Sequence, residues 1–273
     1  MTTPRLSDPI ALIRNRARVQ SGAFFLHDSA LDEIEARLGM VNRVFTEPLL
    51  VGPFPERWSQ NLSLPGLRAI PDTDTLDVQP GAHDLVIHAM GLHWASDPVG
   101  QLIQCRRALR PDGFLLACLF GGQTLHELRT ALAEAEAQVT GGLSPRIAPM
   151  AEIRDLGALL QRAGLALPVA DSLKLTVTYP DMTALMHDLR HMGEGNALAH
   201  RLRHPTRRAV FERAAAIYAA EHALPDGRLP ATFEIIFLTG WAPDETQPQP
   251  LRPGSATQRL ADALGTRETP LKD

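Results

Sequence analysis

The stretch from His83 to Gly122 constrains the fold more than any other. Asp84 to Met90 is an apolar run with no polar face, the signature of a strand buried on both sides in a parallel sheet. Leu92-His93-Trp94 follows, and then Asp97-Pro98, which sets a side-chain acceptor at an N-cap and a proline in the first helical turn. Val99, Leu102, Ile103 and Leu109 give that helix its buried stripe. Arg110-Pro111-Asp112-Gly113 then turns the chain into a second apolar run, Phe114 to Phe120, which ends at Gly121-Gly122. Strand, helix and strand in this order demand a crossover connection, and so a layered α/β sheet.

The flanking segments extend this pattern. Pro9 to Val19 reads as a helix, and Leu31, Ile34, Leu38 and Val41 recur at helical spacing in a second one. Between Pro48 and Pro55 three prolines confine any strand to a few residues. Thr124 and Glu127 have capping-box spacing ahead of a helix carrying Leu125, Leu128, Leu132 and Val139. Thr140 to Pro149 is a loop, and a helix follows from about Ala151 to Ala163 with Gly164 beyond its end. Leu173, Leu175 and Val177 alternate with polar residues, as in a strand with one wet face near a sheet edge. Asp181 and Thr206 are expected to cap two further helices, and Ala231 to Gly240 forms the final strand. The expected organisation is one domain over 1–243, with a helical lobe at about 181–225, then a linker and a short terminal helix around 255–264 within 244–273.

Several function classes find no support. A formal charge of −4 with both signs interspersed gives no footprint for nucleic acid. There is no apolar run of about 18 residues to span a bilayer, and Met1 to Gln20 lacks the apolar core of a signal peptide. Cys105 and Cys118 sit among apolar neighbours and read as buried thiols of a reducing compartment, the cytoplasm of a bacterium. His187 and His191 are four apart on a helix, but they point away from the stripe of Met182, Leu185, Met186 and Leu189, and no third ligand has suitable spacing. No metal is expected. His83, His88 and His93 lack paired carboxylates, so hydrolase chemistry has no constellation to work with.

Leu92-His93-Trp94, Arg106 to Gly113, Gly121 to Arg129, Asp155 to Gly164, Met192-Gly193-Glu194 with Asn196, and Ala231 to Trp241 together resemble the class I S-adenosylmethionine-dependent methyltransferases. Within them the chain is most similar to the malonyl-carrier-protein methyltransferase-like group that includes the mitochondrial complex I assembly factor. The resemblance covers roughly 80–243. It implies a three-layer α/β/α Rossmann-like fold with a mostly parallel sheet, S-adenosylmethionine as cofactor, and a complex I subunit as a protein partner. It also implies a mitochondrial matrix location if the source is eukaryotic. Asp72 resembles the acid after the family's third strand that contacts adenine, and it lies twelve positions before Asp84.

The front of the chain departs from that pattern. The family's glycine loop after the first strand lets backbone approach the cofactor, and an acid ending the second strand holds the ribose. Here the place reads Pro48 to Arg57 with Gly52 as its one glycine. From Gly52 to Asp72 there are 20 positions. At about 1.5 Å per helical residue and 3.3 Å per strand residue, that cannot hold two strands and two helices. At least one strand-helix unit is missing, and the ribose acid is expected to be lost with it. Phe54 and Trp58 are aromatics that could readily fill the vacated space.

The candidate cofactor-binding residues are therefore Gly52, Asp72, His93 and Trp94, while the catalytic residues stay unassigned. Trp94 offers a flat face to a sulfonium-like cation, and equally could close an apolar lid. Asp72 sits in a turn that is solvated by default. Glu194 could orient a substrate or simply end a helix, and the loop with Arg146 could cover a pocket. The expected function is a methyltransferase-family protein with weakened or lost cofactor binding, the alternative being a non-catalytic scaffold in complex I assembly.

Overall fold

A computed structural model describes residues 5–248 together with 262, 265 and 266. The chain divides into two compact units, Met1–Pro243 and Asp244–Asp273. Of the helix expected around 255–264, all but residue 262 lies outside the described residues.

The first unit opens with two helices, α1 (Pro9–Arg16) and α2 (Phe25–Met40). Then come β1 (Pro48–Val51), α3 (Pro55–Asn61) and β2 (Arg68–Ile70), followed by β3 (His83–Ala89) and, after a 3-10 turn at Leu92–Trp94, by α4 (Pro98–Ala108) and β4 (Leu109–Phe120). The rest is α5 (His126–Thr140), α6 (Ile153–Arg162), β5 (Ala166–Tyr179), α7 (Met182–His191), α8 (Arg208–His222) and β6 (Leu229–Trp241). The strands order as β2-β1-β3-β4-β6-β5. Pairing is parallel from β2 to β4 and antiparallel on both sides of β6. The result is a three-layer α/β/α sandwich of Rossmann-like kind, with a mostly parallel sheet.

Alternation of side chains sorts the sheet into two cores. Leu85, Ile87, Phe114, Leu116, Phe233 and Ile235 face one cluster with α2, α5, α7 and α8, whereas Val86, Leu115, Ala117 and Leu238 face the other with α4 and α6. Every residue of β3 is buried, as its two-sided apolar pattern requires. Asp84, buried at its start, is satisfied by the backbone N–H groups of Thr46 (2.7 Å) and Glu47 (3.0 Å) and by Arg110 (2.9 Å). That carboxylate anchors the approach to β1.

Asp97 and Asp181 accept from the backbone N–H groups of Gly100 and Ala184 and so cap α4 and α7. Gly164, at φ +78°, follows α6 in the left-handed conformation that ends helices. Two expected caps do not form. Glu127 instead accepts from the N–H and hydroxyl of Thr232 on β6, and Thr206 accepts from Arg146. Buried and partly buried polar groups take the partner that tertiary packing brings, and that overrides local capping.

Candidate functional site at the carboxyl ends of the strands

Open α/β sheets bind ligands where successive connections leave a strand in opposite directions, outside its carboxyl end. Here that place lies between β1 and β3, because the chain runs from β1 to β2 on one side and returns to β3 on the other. Three residues border it: Gly52 after β1, Asp72 after β2 and Gly91 after β3. The structure sets Asp72 beyond the strand beside β1, not beyond a third strand. An acid therefore does stand where a ribose acid would, and the expectation that it was lost is corrected.

All three residues make close contacts with one another's surroundings. A Cβ on Gly52 would lie 2.5 Å from the carbonyl oxygen of Ala89, so this glycine serves close strand packing. The Asp72 carboxylate occupies the space a Cβ on Gly91 would need. Above it, both guanidinium nitrogens of Arg16 donate to the two Asp72 oxygens, at 2.7 and 2.8 Å. The Asp72 side chain is 5% exposed and that of Arg16 19%. A fork-on-fork pair of this kind uses the carboxylate in both of its oxygens.

Arg16 is delivered by a segment tied to its surroundings at several points. Asp8 caps α1, its N–H donates to Ala197, Ser7 donates to the Trp94 carbonyl, and Asn15 donates to the Gly195 carbonyl. Phe54 fills space nearby at φ +56°, edge-on to Phe24 at 5.3 Å between centroids. Trp58 is buried with its indole N–H donating to the Pro53 carbonyl at 2.8 Å. His27 packs among Phe24, Phe54 and Trp58, and neither ring nitrogen has a hydrogen-bond partner among the described residues.

The loop after β3 leads to a second feature. His93 and Trp94 both donate to Oε2 of Glu194, at 3.2 and 2.7 Å, with the His93 tautomer assigned by that bond. Burial would raise the Glu194 carboxyl, but the His93 ring and the Trp94 N–H outweigh it and hold the group below the ordinary carboxylate range. Both bonds fall on Oε2, so Oε1 keeps its acceptor capacity. Glu194, Trp94, Phe120, Phe211 and Phe233 border a cavity of about 240 Å³ roofed in part by Ile147 and Met150. Arg146 and Arg190 also border it. Arg146 is engaged by Glu136 at 2.6 Å and by Thr206 at 2.9 Å.

Of the sequence candidates, the structure thus separates Gly52 and Asp72, at the cleft, from His93 and Trp94, which join Glu194. Asn196 bonds the Pro145 carbonyl, and Glu234 accepts from the Gln123 N–H. Arg16 and His27 carried no signal in the sequence, since nothing periodic links Arg16 to a partner 56 positions away. No cluster of three or more potential metal ligands occurs among the described residues, and no helix there is long and apolar enough to cross a membrane.

No protein-family model matches the chain. Over 184 residues, 67% of its length, it is 42% identical to the Arginine-hydroxylase NDUFAF5, mitochondrial, of Dictyostelium discoideum. Over 172 residues, 63% of its length, it is 34% identical to the Malonyl-[acyl-carrier protein] O-methyltransferase of Laribacter hongkongensis. The chain spans 42% and 55% of the lengths of these two relatives. Among solved structures, a Bacillus halodurans protein assigned to the methyltransferases superposes with a TM-score of 0.48 at 13% identity, covering 77% of this chain and 98% of its own.

Proposed function

Because this chain is a homologue of the NDUFAF5 proteins and of the malonyl-[acyl-carrier protein] O-methyltransferases, we propose that it acts in the assembly of respiratory complex I as a protein that holds a partner's basic side chain, with S-adenosylmethionine binding weakened or lost. One observation carries this reading: a carboxylate, Glu194, only 11% exposed, on the wall of a largely apolar pocket that Arg146 and Arg190 also border. An aliphatic stem ending in a guanidinium suits such a pocket, because the stem meets Phe and Met side chains while the cation meets Glu194 and the face of Trp94. The name of the Dictyostelium relative favours arginine.

The residues at the cofactor's place do not fit it. Gly52 is used against Ala89, and the acid suited to ribose hydroxyls is already paired, so no methyl-transfer step is derived. For a bacterial chain the setting proposed is the cytoplasm. The partner reading is tested by calorimetry with N-acetyl-arginine amide and its citrulline counterpart, which keeps the shape and removes the charge. Saturable heat with the first alone, lost in Glu194→Gln, is the expected result. Equal binding of both compounds would overturn the reading.

A further inference from the structure

We propose that the N-terminal segment is a built-in plug of the nucleoside place, in which Arg16 holds Asp72 as a ribose would. This rests on the reading that cofactor binding is weakened, and it names what weakens it.

The placement supports a plug in three ways. Asp72 stands at the carboxyl end of the strand beside β1, 20 positions after Gly52, which is the spacing at which a ribose acid follows a phosphate-side glycine. Its carboxylate is nearly removed from solvent, yet it faces a cation from the chain's own first helix in place of water. The helix is itself fixed by side chains and backbone of the 191–199 segment, with Gln20 donating to the His191 carbonyl and Ala199 to the Leu6 carbonyl. An acid held for structure alone would not need to sit at the sheet's ligand-binding edge. A ribose offers two hydroxyl donors to one carboxylate, and the guanidinium fork offers two N–H donors in the same arrangement.

The chemistry proposed is a competition between donors. While Arg16 is bound, a nucleoside finds no acceptor. With the guanidinium removed, Asp72 presents two oxygens to a ribose. The methionine end gains nothing from this change, because the Gly52 contact with Ala89 is untouched. The ligand class is therefore a nucleoside, and the amino-acid part of S-adenosylmethionine would add no affinity.

The test is calorimetry of the full chain with adenosine and with S-adenosylmethionine, on the wild type, Arg16→Ala and the double variant Arg16→Ala with Asp72→Asn. Arg16→Met, which keeps the stem packed, carries the same test if Arg16→Ala does not fold. The wild type is expected to show no saturation with either compound. The single variant is expected to bind adenosine at least about tenfold more tightly than the wild type, and the double variant to lose that gain. Tight binding of S-adenosylmethionine by the wild type would overturn both the plug and the reading of weakened cofactor binding. A folded single variant that gains no adenosine binding would overturn the plug alone.

Discussion

At the scale of single residues, the site is built from groups whose partners lie far away in sequence. Gly91→Ala would drive a methyl into the Asp72 carboxylate and break its pair with Arg16. Overpacking of this kind costs about 1–3 kcal/mol, and urea titration should show it, while Gly142→Ala, with nothing nearby, should stay within about 0.5 kcal/mol of the wild type. His27 gives a pH dependence. Burial brings its pKa down from 6.5 to about 4, so the unfolded chain takes up the proton first. Stability should fall as pH drops from 6.5 towards 4, by on the order of 3 kcal/mol, and His27→Leu should remove most of that fall between urea titrations at neutral and acid pH. Sequence made Asp72, His93, Trp94 and Glu194 visible through motif position and flanking glycines. It hid Arg16 and His27, because a single long-range ion pair and a histidine inside an aromatic box leave no periodic trace.

At the scale of elements, local signals succeeded where the backbone alone needed satisfying. Asp97, Asp181 and Gly164 end or begin their helices as read, and Asp97→Ala should cost about 1 kcal/mol in urea titration. They failed where a polar group was recruited across the fold. Glu127→Ala should cost more than loss of a cap, since it strands the buried N–H and hydroxyl of Thr232, a penalty of about 1–3 kcal/mol measurable in the same way. Strand lengths show the same division. The alternation over Leu173–Thr178 located β5, but its pairing with β6 continues from Ala166 to Tyr179, an extent set by the partner strand. Conversely β2, only three residues long, exists because β1 offers it a neighbour.

At the scale of the whole molecule, the α/β class, the buried strands and the missing unit were legible, because sheet burial and chain length are summed properties that single contacts cannot disguise. The order of the strands was less so, since it depends on where a shortened chain finds room. If the cofactor is no longer held, millimolar S-adenosylmethionine should leave the melting temperature of the wild type where it was, in contrast to a ligand bound only by the native state. The sheet is also lopsided, with strands of 3 and 4 residues on one flank and of 12 to 14 on the other. Breathing motions should then begin on the short flank, where few amides shield one another: deuterium should enter Arg68–Ile70 and Leu49–Val51 well before Phe114–Phe120, so the molecule would unzip from the side its first helix clasps.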